Sequence, residues 1–546
     1  MLTVPVLSEK TAATVETRPS KTEKWLKSLP FINKFETSRQ LYVALMGLNR
    51  LMLDDKIRFK LLELYREPIK RLGEELQQEY LDRAQPLFTN LKMMAEQNRQ
   101  FQQELAIGYK HIILSMTEAG KIKTGVKSGF LATVLLRAIS YCKETLLKSY
   151  YYYADVPPGI WQEIHGLYLI AEKTGCTNMA VKDPLNPIKE SVSITEYYKH
   201  VLLLGFGNPY HMPPSFIRKI DHFLYRWADL TQFGPGEEIT EGNCQFIIDQ
   251  QGDMVGNSYT GDINIMEGAS PLQYRALYTH DLARFIHSKL KAMENEQEID
   301  TEGLEDRFYT DQGRLLLIHL INTWGINPKR QFARVDKPTT KLELAIGIKA
   351  INYFINGQKK MQPSSDFVGP FPERTAVGAS GVQPGTEKRD RSLSTSTWDV
   401  VDESAGGVAL AHNALLEEPT RVGELVAIRL LGQGDKWEIA TIRWLRTADH
   451  AHIESGVQRL APYATPILIK MVNEDGKETD FIPALQLPGI RALNQPRTLI
   501  THKGIFQKDR ELYFDDSKGM KKITVRTLIE ETLCYERFDY LISTIE

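Results

Sequence analysis

Apolar residues recur at spacings of three and four from about residue 36 to residue 233, which is the pattern of amphipathic α-helices. The first long run, SRQLYVALMGLNRLMLDDKIRFKLLELYREPIKRLGEELQQEYL, ends before Pro86, and further runs follow it at unequal intervals. Because the runs share no fixed period, they predict an irregular stack of helical hairpins, not a consensus tetratricopeptide array. Residues 1–21 are rich in Thr, Ser, Glu and Lys and are predicted to form a flexible tail.

The helical pattern is interrupted between residues 234 and 265, where turn residues separate short extended runs such as CQFIID. It returns in SPLQYRALYTHDLARFIHSKLKAM and again in GRLLLIHLINTWG. We therefore predict a helical region over residues 22–325, which can divide into two subdomains near residues 234–265.

The apolar period changes to two in KLELAIGIK, where Leu342, Leu344, Ile346 and Ile348 share one face of a predicted strand. Residues 357–395 follow, and their Gly, Pro, Ser and Thr content predicts a flexible insertion. Strand patterns then resume and continue from TWDVVD to HIESGVQRL. Together these runs predict a small antiparallel β-barrel or sandwich.

The final stretch, residues 471–546, is β-rich and ends in the predicted helix TVRTLIEETLCYERF. The expected fold class is therefore α+β and multidomain. An all-α helical N-terminal region is followed by an antiparallel β-barrel over residues 326–470 and by a small β-rich C-terminal region.

Composition and short motifs exclude several classes of function. The 546-residue chain is 42% hydrophobic and 25% charged with a formal net charge of −2, so it lacks the basic excess of proteins that bind along nucleic acids. Its four cysteines form no CxxC pair, which argues against a disulfide framework and against a zinc site. Since no HExxH, GxSxG or P-loop motif is present, we expect a protein that is not an enzyme.

The chain also shows no signal that directs it to or across a membrane. Its N-terminal residues lack the basic-then-apolar order of a signal peptide, and no uninterrupted apolar run is long enough for a membrane span. We therefore expect a cytoplasmic protein.

Two arginines lie four positions apart in RQFAR, just before the first predicted strand of the barrel. Guanidinium groups form bidentate hydrogen bonds with phosphates and guanine edges and also stack on bases. Arg330 and Arg334 are therefore candidate contacts for a nucleotide-sized anion. The pair alone is weak evidence, because an exposed linker has the same composition and R-x-x-x-R is expected about once or twice by chance.

A second candidate motif, DESAGG, lies between two predicted strands of the same barrel and has the pattern D-x-S-x-x-G. Asp402 and Ser404 can present a carboxylate and a hydroxyl group, and Gly407 lets the backbone approach a ligand closely. The same residues suit an ordinary turn without a ligand. However, [D/N]-x-S-x-x-G is expected only about 0.2–0.3 times by chance, and its joint placement with RQFAR is more specific than either motif.

In this order, the two motifs resemble the PilZ domain, the bacterial receptor module for cyclic di-GMP. The stretch WEIATIRWLRTADHAHIESGVQRLAP also resembles the closing strands of that domain. Within it, Ile442-Arg443-Trp444 and Ser455-Gly456-Val457 loosely match the V-x-W and iGv elements of the family. The resemblance covers about a quarter of the chain.

The resemblance implies a non-enzymatic effector that binds cyclic di-GMP at the barrel and uses neither a cofactor nor a metal. Arg330 and Arg334 would hold the guanine edges and phosphates of the ligand. Asp402 and Ser404 would add polar contacts, and Gly407 would provide the close backbone turn. The helical region would then bind an unidentified protein partner, coupled to the barrel through the segment that carries the arginines.

Several alternatives stay open. The separation between the two motifs exceeds the usual family spacing, so Arg389 and Arg391 in EKRDRS become candidate ligand arginines if the first strand lies elsewhere. In one alternative, the barrel is an adaptor that binds no nucleotide. In another, the helical region acts as a chaperone-like scaffold. An enzyme without a recognisable motif in residues 36–325 is the last alternative.

Overall fold

The structure is a computed structural model that describes residues 2–9, 15–125, 127–186, 188–235, 244–258, 273–294, 310–325, 335–336, 340–364, 393–413, 419–432, 436–447, 452–471, 479–489 and 496–543. The chain forms two compact units. The first comprises Met1–Arg83 with Leu87–Lys329, and the second comprises Ala84–Pro86 with Arg330–Glu546. None of the helices within the described ranges has both the length and the apolar character that a bilayer span requires.

The first unit is built mainly from helices, and several of them start at capping residues in the sequence. Asp54 accepts hydrogen bonds from the backbone N–H groups of Lys56 and Ile57, and Ser193 forms a capping box with Glu196. The helices are α1 (Pro19–Lys27), α2 (Lys34–Leu48), α3 (Asp55–Tyr80), α4 (Thr89–Glu118), α5 (Gly129–Tyr150), α6 (Ile160–Thr174), α7 (Ile194–Phe206), α8 (Pro214–Trp227), α9 (His280–Glu294) and α10 (Asp311–Trp324).

Small antiparallel sheets complete this unit. The strands are β1 (Val181–Lys182), β2 (Ser191–Val192), β3 (Gln232–Pro235), β4 (Gln245–Asp249), β5 (Asn257–Ser258) and β6 (Tyr274–Tyr278). β1 pairs with β2, and the other four strands form a sheet in the order β3-β6-β4-β5. The helical pattern predicted for SPLQYRALY is therefore wrong over YRALY, which forms β6. β6 is paired on both sides, and this pairing outweighs the local periodicity.

The N-terminal residues also differ from the predicted flexible tail. The backbone N–H of Thr3 donates to Glu163 Oε1 at 2.7 Å, and Ser8 forms a parallel bridge with Leu51. Helix α1 already begins at Pro19, inside the range predicted as a tail. The tail prediction is wrong for these residues because α6 and the segment after α2 supply partners for its backbone groups, which a polar composition does not reveal.

Charged side chains inside the helical unit pair with one another. Lys143 is buried on α5, and its Nζ lies 2.7 Å from Asp221 Oδ1 and 2.9 Å from Glu144 Oε1. His200 Nε2 lies 2.8 Å from the same Asp221 oxygen, and burial lowers the pKa of this histidine. Glu144 and Asp221 also line a cleft of about 480 Å³. Removal of one partner would leave an uncompensated buried charge, so the network constrains how these helices pack.

The second unit begins with a closed antiparallel barrel. Its strands are β7 (Val335–Asp336), β8 (Lys341–Ile346), β9 (Thr395–Ser404), β10 (Gly407–His412), β11 (Leu425–Leu430), β12 (Glu438–Thr447) and β13 (Ile453–Ala461). The order β10-β13-β12-β11-β8-β9 closes through the pairing of β9 with β10, and β7 is added alongside β9. The predicted α+β fold with a helical N-terminal region and an antiparallel barrel is confirmed.

A second closed barrel follows directly. It is formed by β14 (Thr465–Met471), β15 (Ile482–Leu487), β16 (Thr498–His502), β17 (Glu511–Asp515), β18 (Met520–Glu531) and β19 (Tyr535–Ser543), in the order β14-β15-β16-β19-β18-β17. Its interior packs buried apolar residues from all six strands, including Ile469, Leu512 and Phe538.

The final helix predicted from TVRTLIEETLCYERF is wrong, because this stretch lies in β18 and β19. The pairing of these strands shifts register between Val525 and Leu528 and again before Glu530. Such irregularities insert extra residues and break the period of two. Apolar residues therefore lie three and four positions apart, which is the spacing typical of a helix, although the segment forms two strands of a closed barrel.

The predicted flexible insertion, residues 357–395, lies mainly outside the described residues, which omit 365–392. At its start, Ser364 donates from its backbone N and from its Oγ to Asp515 Oδ2, at 2.7 Å and 2.6 Å. At its end, Thr395 is already the first residue of β9. The described ends of this segment therefore belong to the ordered second unit.

Helix α11 (Ile348–Ile355) joins the cores of the two barrels. Gly347, with φ of +83°, ends β8 and turns the chain, so that Ile348 starts this helix and does not continue the predicted strand. Buried Ile351 belongs to one apolar cluster with Leu425 of the first barrel and Leu485 of the second. The two barrels therefore share a core.

One buried polar side chain anchors α11 to the second barrel, and its removal tests this arrangement. Asn352 Nδ2 donates to the carbonyl oxygens of Ile467 at 3.0 Å and Ala484 at 2.9 Å. We expect Asn352→Ala to lower the free energy of unfolding by about 2–3 kcal/mol, because two buried acceptors lose their donor. Chemical denaturation measures this change.

The matched control is Asn356→Ala at the end of the same helix. Asn356 Nδ2 donates to the Lys359 carbonyl in an exposed bond. Its loss should lower the free energy of unfolding by less than about 1 kcal/mol. Equal effects of the two substitutions would contradict an anchoring role for Asn352.

Candidate functional site

The DESAGG motif forms the tip of the β-hairpin between β9 and β10. Ser404 pairs with Gly407 across the tip, and Asp402 pairs with Ala409. The register shifts immediately after this pair, which leaves Val401 as an extra residue in β9 and increases the local twist. The structure thus brings Asp402, Ser404 and Gly407 together in one hairpin.

Contacts within the hairpin explain two of these residues without any ligand. Ser404 Oγ donates to the Gly407 carbonyl oxygen at 3.2 Å. A Cβ atom at position 407 would lie 2.3 Å from the Val457 carbonyl oxygen of β13, a distance that side chains do not tolerate. Gly407 is therefore required by the close approach of two barrel strands. The side chains of Asp402 and Ser404 remain half-exposed at the surface.

Arg459 of β13 holds the tip of this hairpin from the neighbouring strand. Its Nη1 donates to the Ser404 carbonyl oxygen at 2.7 Å, and its Nη2 donates to Glu403 Oε1 at 2.6 Å. Its Nε donates to Glu438 Oε2 at 2.7 Å. Burial disfavours the charged guanidinium, but the hydrogen bonds to the two carboxylates outweigh it, so the pKa of Arg459 is raised.

The sequence reasoning missed Arg459, Glu403 and Glu438. Glu403 occupies an unspecified position of D-x-S-x-x-G, Glu438 lies in no motif, and Arg459 is far from DESAGG in the sequence. The available signal was the alternation in HIESGVQRL, which places this arginine on a strand of the same barrel. Only the strand order, with β13 beside β10, shows that it meets the hairpin.

The two arginines of RQFAR lie outside the residues that the structure describes. The chain that follows them is described. Val335 pairs with Glu403, and Asp336 pairs with Asp402. The strand that continues directly from Arg334 thus runs alongside the motif residues of β9.

The described hairpin is acidic at its tip. Asp402 and Glu403 lie on β9, and Glu438 lies on β12. Arg459 contacts the carboxylates of Glu403 and Glu438. Within the described ranges, no group of three or more His, Cys, Asp or Glu side chains could hold a metal ion. The carboxylates of Asp402 and Glu403 thus disfavour an anion at this tip unless cations accompany it.

Family models match three consecutive parts of the chain. They are the N-terminal domain of the cyclic-di-GMP receptor FimW over residues 20–237, its middle PilZ domain over residues 246–367 and 372–466, and its C-terminal β-barrel domain over residues 467–542. The middle part of the chain is therefore a PilZ domain. No solved structure matches it.

A curated relative extends this match along the whole chain. The cyclic-di-GMP receptor FimW of Pseudomonas aeruginosa is 26% identical over an alignment of 591 residues, which covers 99% of this chain and 93% of the relative. The PilZ model begins at residue 246, so it also includes α9 and α10 of the first compact unit. The C-terminal model corresponds to the second barrel.

The closing strands of the PilZ barrel contain the two elements that loosely match the family pattern, Ile442-Arg443-Trp444 and Ser455-Gly456-Val457. Trp444 of β12 pairs directly with Gly456 of β13. A Cβ atom at Gly456 would lie 1.8 Å from Trp444 Nε1, so the glycine leaves space for the indole ring. The tryptophan in turn covers backbone that glycine leaves without a side chain. These two elements therefore have a shared packing role.

Gly407→Ala tests the structural part of the motif. We expect the free energy of unfolding of the PilZ barrel to fall by roughly 1–3 kcal/mol, because the contacting atom at position 457 belongs to a backbone carbonyl and cannot rotate away. Denaturation followed by circular dichroism provides the measurement.

Gly234→Ala serves as the control for this substitution. Gly234 also lies in a strand, β3, but a Cβ atom there meets no atom within 4 Å. Its replacement should leave stability unchanged or slightly increased, since alanine restricts the unfolded chain. Similar stability of the Gly407→Ala variant and the wild-type protein would refute the steric argument.

Proposed function

We propose that this chain is a receptor for cyclic di-GMP and that the ligand binds at the β9–β10 hairpin together with the RQFAR segment. The observation that carries the proposal is the pairing of β7 with β9. Val335 follows Arg334 directly in the chain and is paired with Glu403, next to Asp402. A covalent connection therefore keeps the arginine motif near the second motif, although the two are far apart in sequence.

The chemistry of the ligand suits these residues. Cyclic di-GMP carries two guanines and two phosphodiesters, which match guanidinium groups of Arg330 and Arg334 through bidentate hydrogen bonds and stacking. The Asp402 carboxylate can accept hydrogen bonds from guanine N–H groups, and Ser404 can add a hydroxyl contact. Because the described tip is acidic, the arginines would supply the positive charge that the two phosphates require.

Binding would be communicated through the segment that carries the arginines. Residues 326–334 connect α10, which ends at Trp324, with β7, which begins at Val335. A ligand held by Arg330 and Arg334 would order this connection and so bias the helical region, which is the proposed surface for a protein partner. The protein would then act in the cytoplasm as a non-enzymatic effector.

An adaptor that binds no nucleotide is the second candidate. It is favoured by the contacts that give Ser404 and Gly407 structural roles within the barrel, since those residues need no ligand to account for them. The adaptor has no use for Arg330 and Arg334, whereas the receptor depends on them.

Calorimetric titration of cyclic di-GMP into the full chain tests the proposal. We expect the wild-type protein to bind with a dissociation constant in the micromolar range or tighter. The double substitution Arg330→Ala and Arg334→Ala should weaken binding at least about a hundredfold, because two charge-assisted contacts are removed.

The matched control is the double substitution Arg389→Ala and Arg391→Ala in EKRDRS, which removes the same charge from the alternative arginine pair. It should bind as the wild-type protein does. Loss of binding in this control alone would move the ligand arginines to EKRDRS, and absence of binding by the wild-type protein would favour the adaptor.

Asp402→Ala tests the contribution of the hairpin carboxylate. We expect cyclic di-GMP affinity to fall about tenfold to a hundredfold, because the charged acceptor for guanine N–H groups is lost. Asp399→Ala is the control on the same strand, where Asp399 Oδ1 lies 3.0 Å from Lys341 Nζ. Titration of both variants should separate them, and equal affinities would argue against a ligand contact by Asp402.

A further inference from the structure

Arg459 contacts β9, the turn between β9 and β10, and β12 of the same barrel. Its guanidinium group donates to the Ser404 carbonyl oxygen and to the carboxylates of Glu403 and Glu438. Its backbone N–H donates to the Gly406 carbonyl oxygen at 3.0 Å. Glu403, Ser404 and Gly406 are therefore all connected to β13 through Arg459.

The alternation of side chains along β9 separates this contact from the proposed ligand contacts. Asp402 and Ser404 are two positions apart and share one face of the strand, whereas Glu403 points to the opposite face. Since Arg459 pairs with the Glu403 side chain, it holds the hairpin from the face opposite to Asp402 and the Ser404 hydroxyl. It can fix their positions without touching the ligand.

The same arginine is linked to the strand that follows RQFAR. Glu403 pairs through its backbone with Val335 of β7 and through its side chain with Arg459. The guanidinium group of Arg459 thus constrains both the turn and Glu403, with which β7 pairs. Stability alone gives little reason for this arrangement, because Glu403 and Glu438 keep 27% and 42% of their side-chain surface exposed and partly exposed ion pairs contribute little.

We propose that Arg459 is a positioning residue for cyclic di-GMP, which sets the hairpin and β7 in the geometry that the ligand requires before it binds. This inference rests on the proposed function. A site whose contacts are preset by supporting side chains binds more tightly than one that must be ordered by its ligand.

The experiment compares Arg459→Gln and Arg459→Lys with the wild-type full chain. Cyclic di-GMP affinity is measured by calorimetry at several salt concentrations, and amide hydrogen exchange is followed over residues 402–408 without ligand. We expect Arg459→Gln to weaken binding about tenfold and to speed exchange at the hairpin. Arg459→Lys should recover only part of the affinity, because one ammonium group cannot bridge the three acceptors in the planar geometry of a guanidinium.

The salt dependence separates positioning from direct contact. If Arg459 does not touch the phosphates, the affinity of Arg459→Gln should decrease with salt as steeply as that of the wild-type protein. A shallower dependence means that Arg459 contacts the ligand directly and overturns the positioning role. Unchanged affinity with faster hairpin exchange, or with lower thermal stability alone, also overturns it and leaves a purely structural residue.

Two further variants serve as controls. Arg443→Gln removes an arginine of β12 that bonds Gln458 and Glu530 and does not contact the hairpin, so its affinity should equal that of the wild-type protein. Glu403→Gln should weaken binding as Arg459→Gln does, and the double variant should be no weaker than either single variant. If the losses of affinity in the two single variants add in the double variant, Glu403 and Arg459 do not act together, and the positioning role is overturned. Titration of the wild-type protein alone tests the proposed function. If the wild-type protein does not bind cyclic di-GMP, the proposed function is contradicted, whatever the variants show.

Discussion

The shared core around α11 is the constraint on which the second unit depends. A closed barrel has no free sheet edges, and neighbouring barrels can otherwise remain independent. Here Ile351 packs against residues of both barrels, and Asn352 satisfies two carbonyl groups of β14 and β15 from within that core. Because an unpaired buried amide is costly, the helix has one favourable position. The end of β8 is fixed with it, and β8 pairs with the motif strand β9.

The motif therefore lies where the first barrel closes. β9 pairs with β8 over its first half, with β10 over its second half and with β7 near its end. This placement gives DESAGG a rigid support on one side and, on the other, a short strand that continues from RQFAR. In the proposed site, the residues of DESAGG are held by paired barrel strands. Arg459 bonds the same hairpin from β13.

The helical unit follows a different principle. Its core contains balanced groups of opposite charge, such as Lys143 with Asp221 and Glu144, where most cores contain only apolar side chains. Such groups must be desolvated together, so they tolerate few alternative packings. The pairing involves α5 and α8, which are distant in sequence. This unit is thus specified by complementary charges as well as by its apolar periodicity.

The sequence determined the order of helical and barrel regions, because periods of 3.6 and 2 are local properties of the chain. It also predicted that Asp402, Ser404 and Gly407 lie at a turn between two strands, since turn residues and their spacing are local. Only the tertiary structure decided that TVRTLIEETLCYERF forms strands, that residues after Gly347 form α11, and that Arg459 meets the hairpin. Each of these depends on contacts between distant segments, and pairing or burial there outweighs local preference.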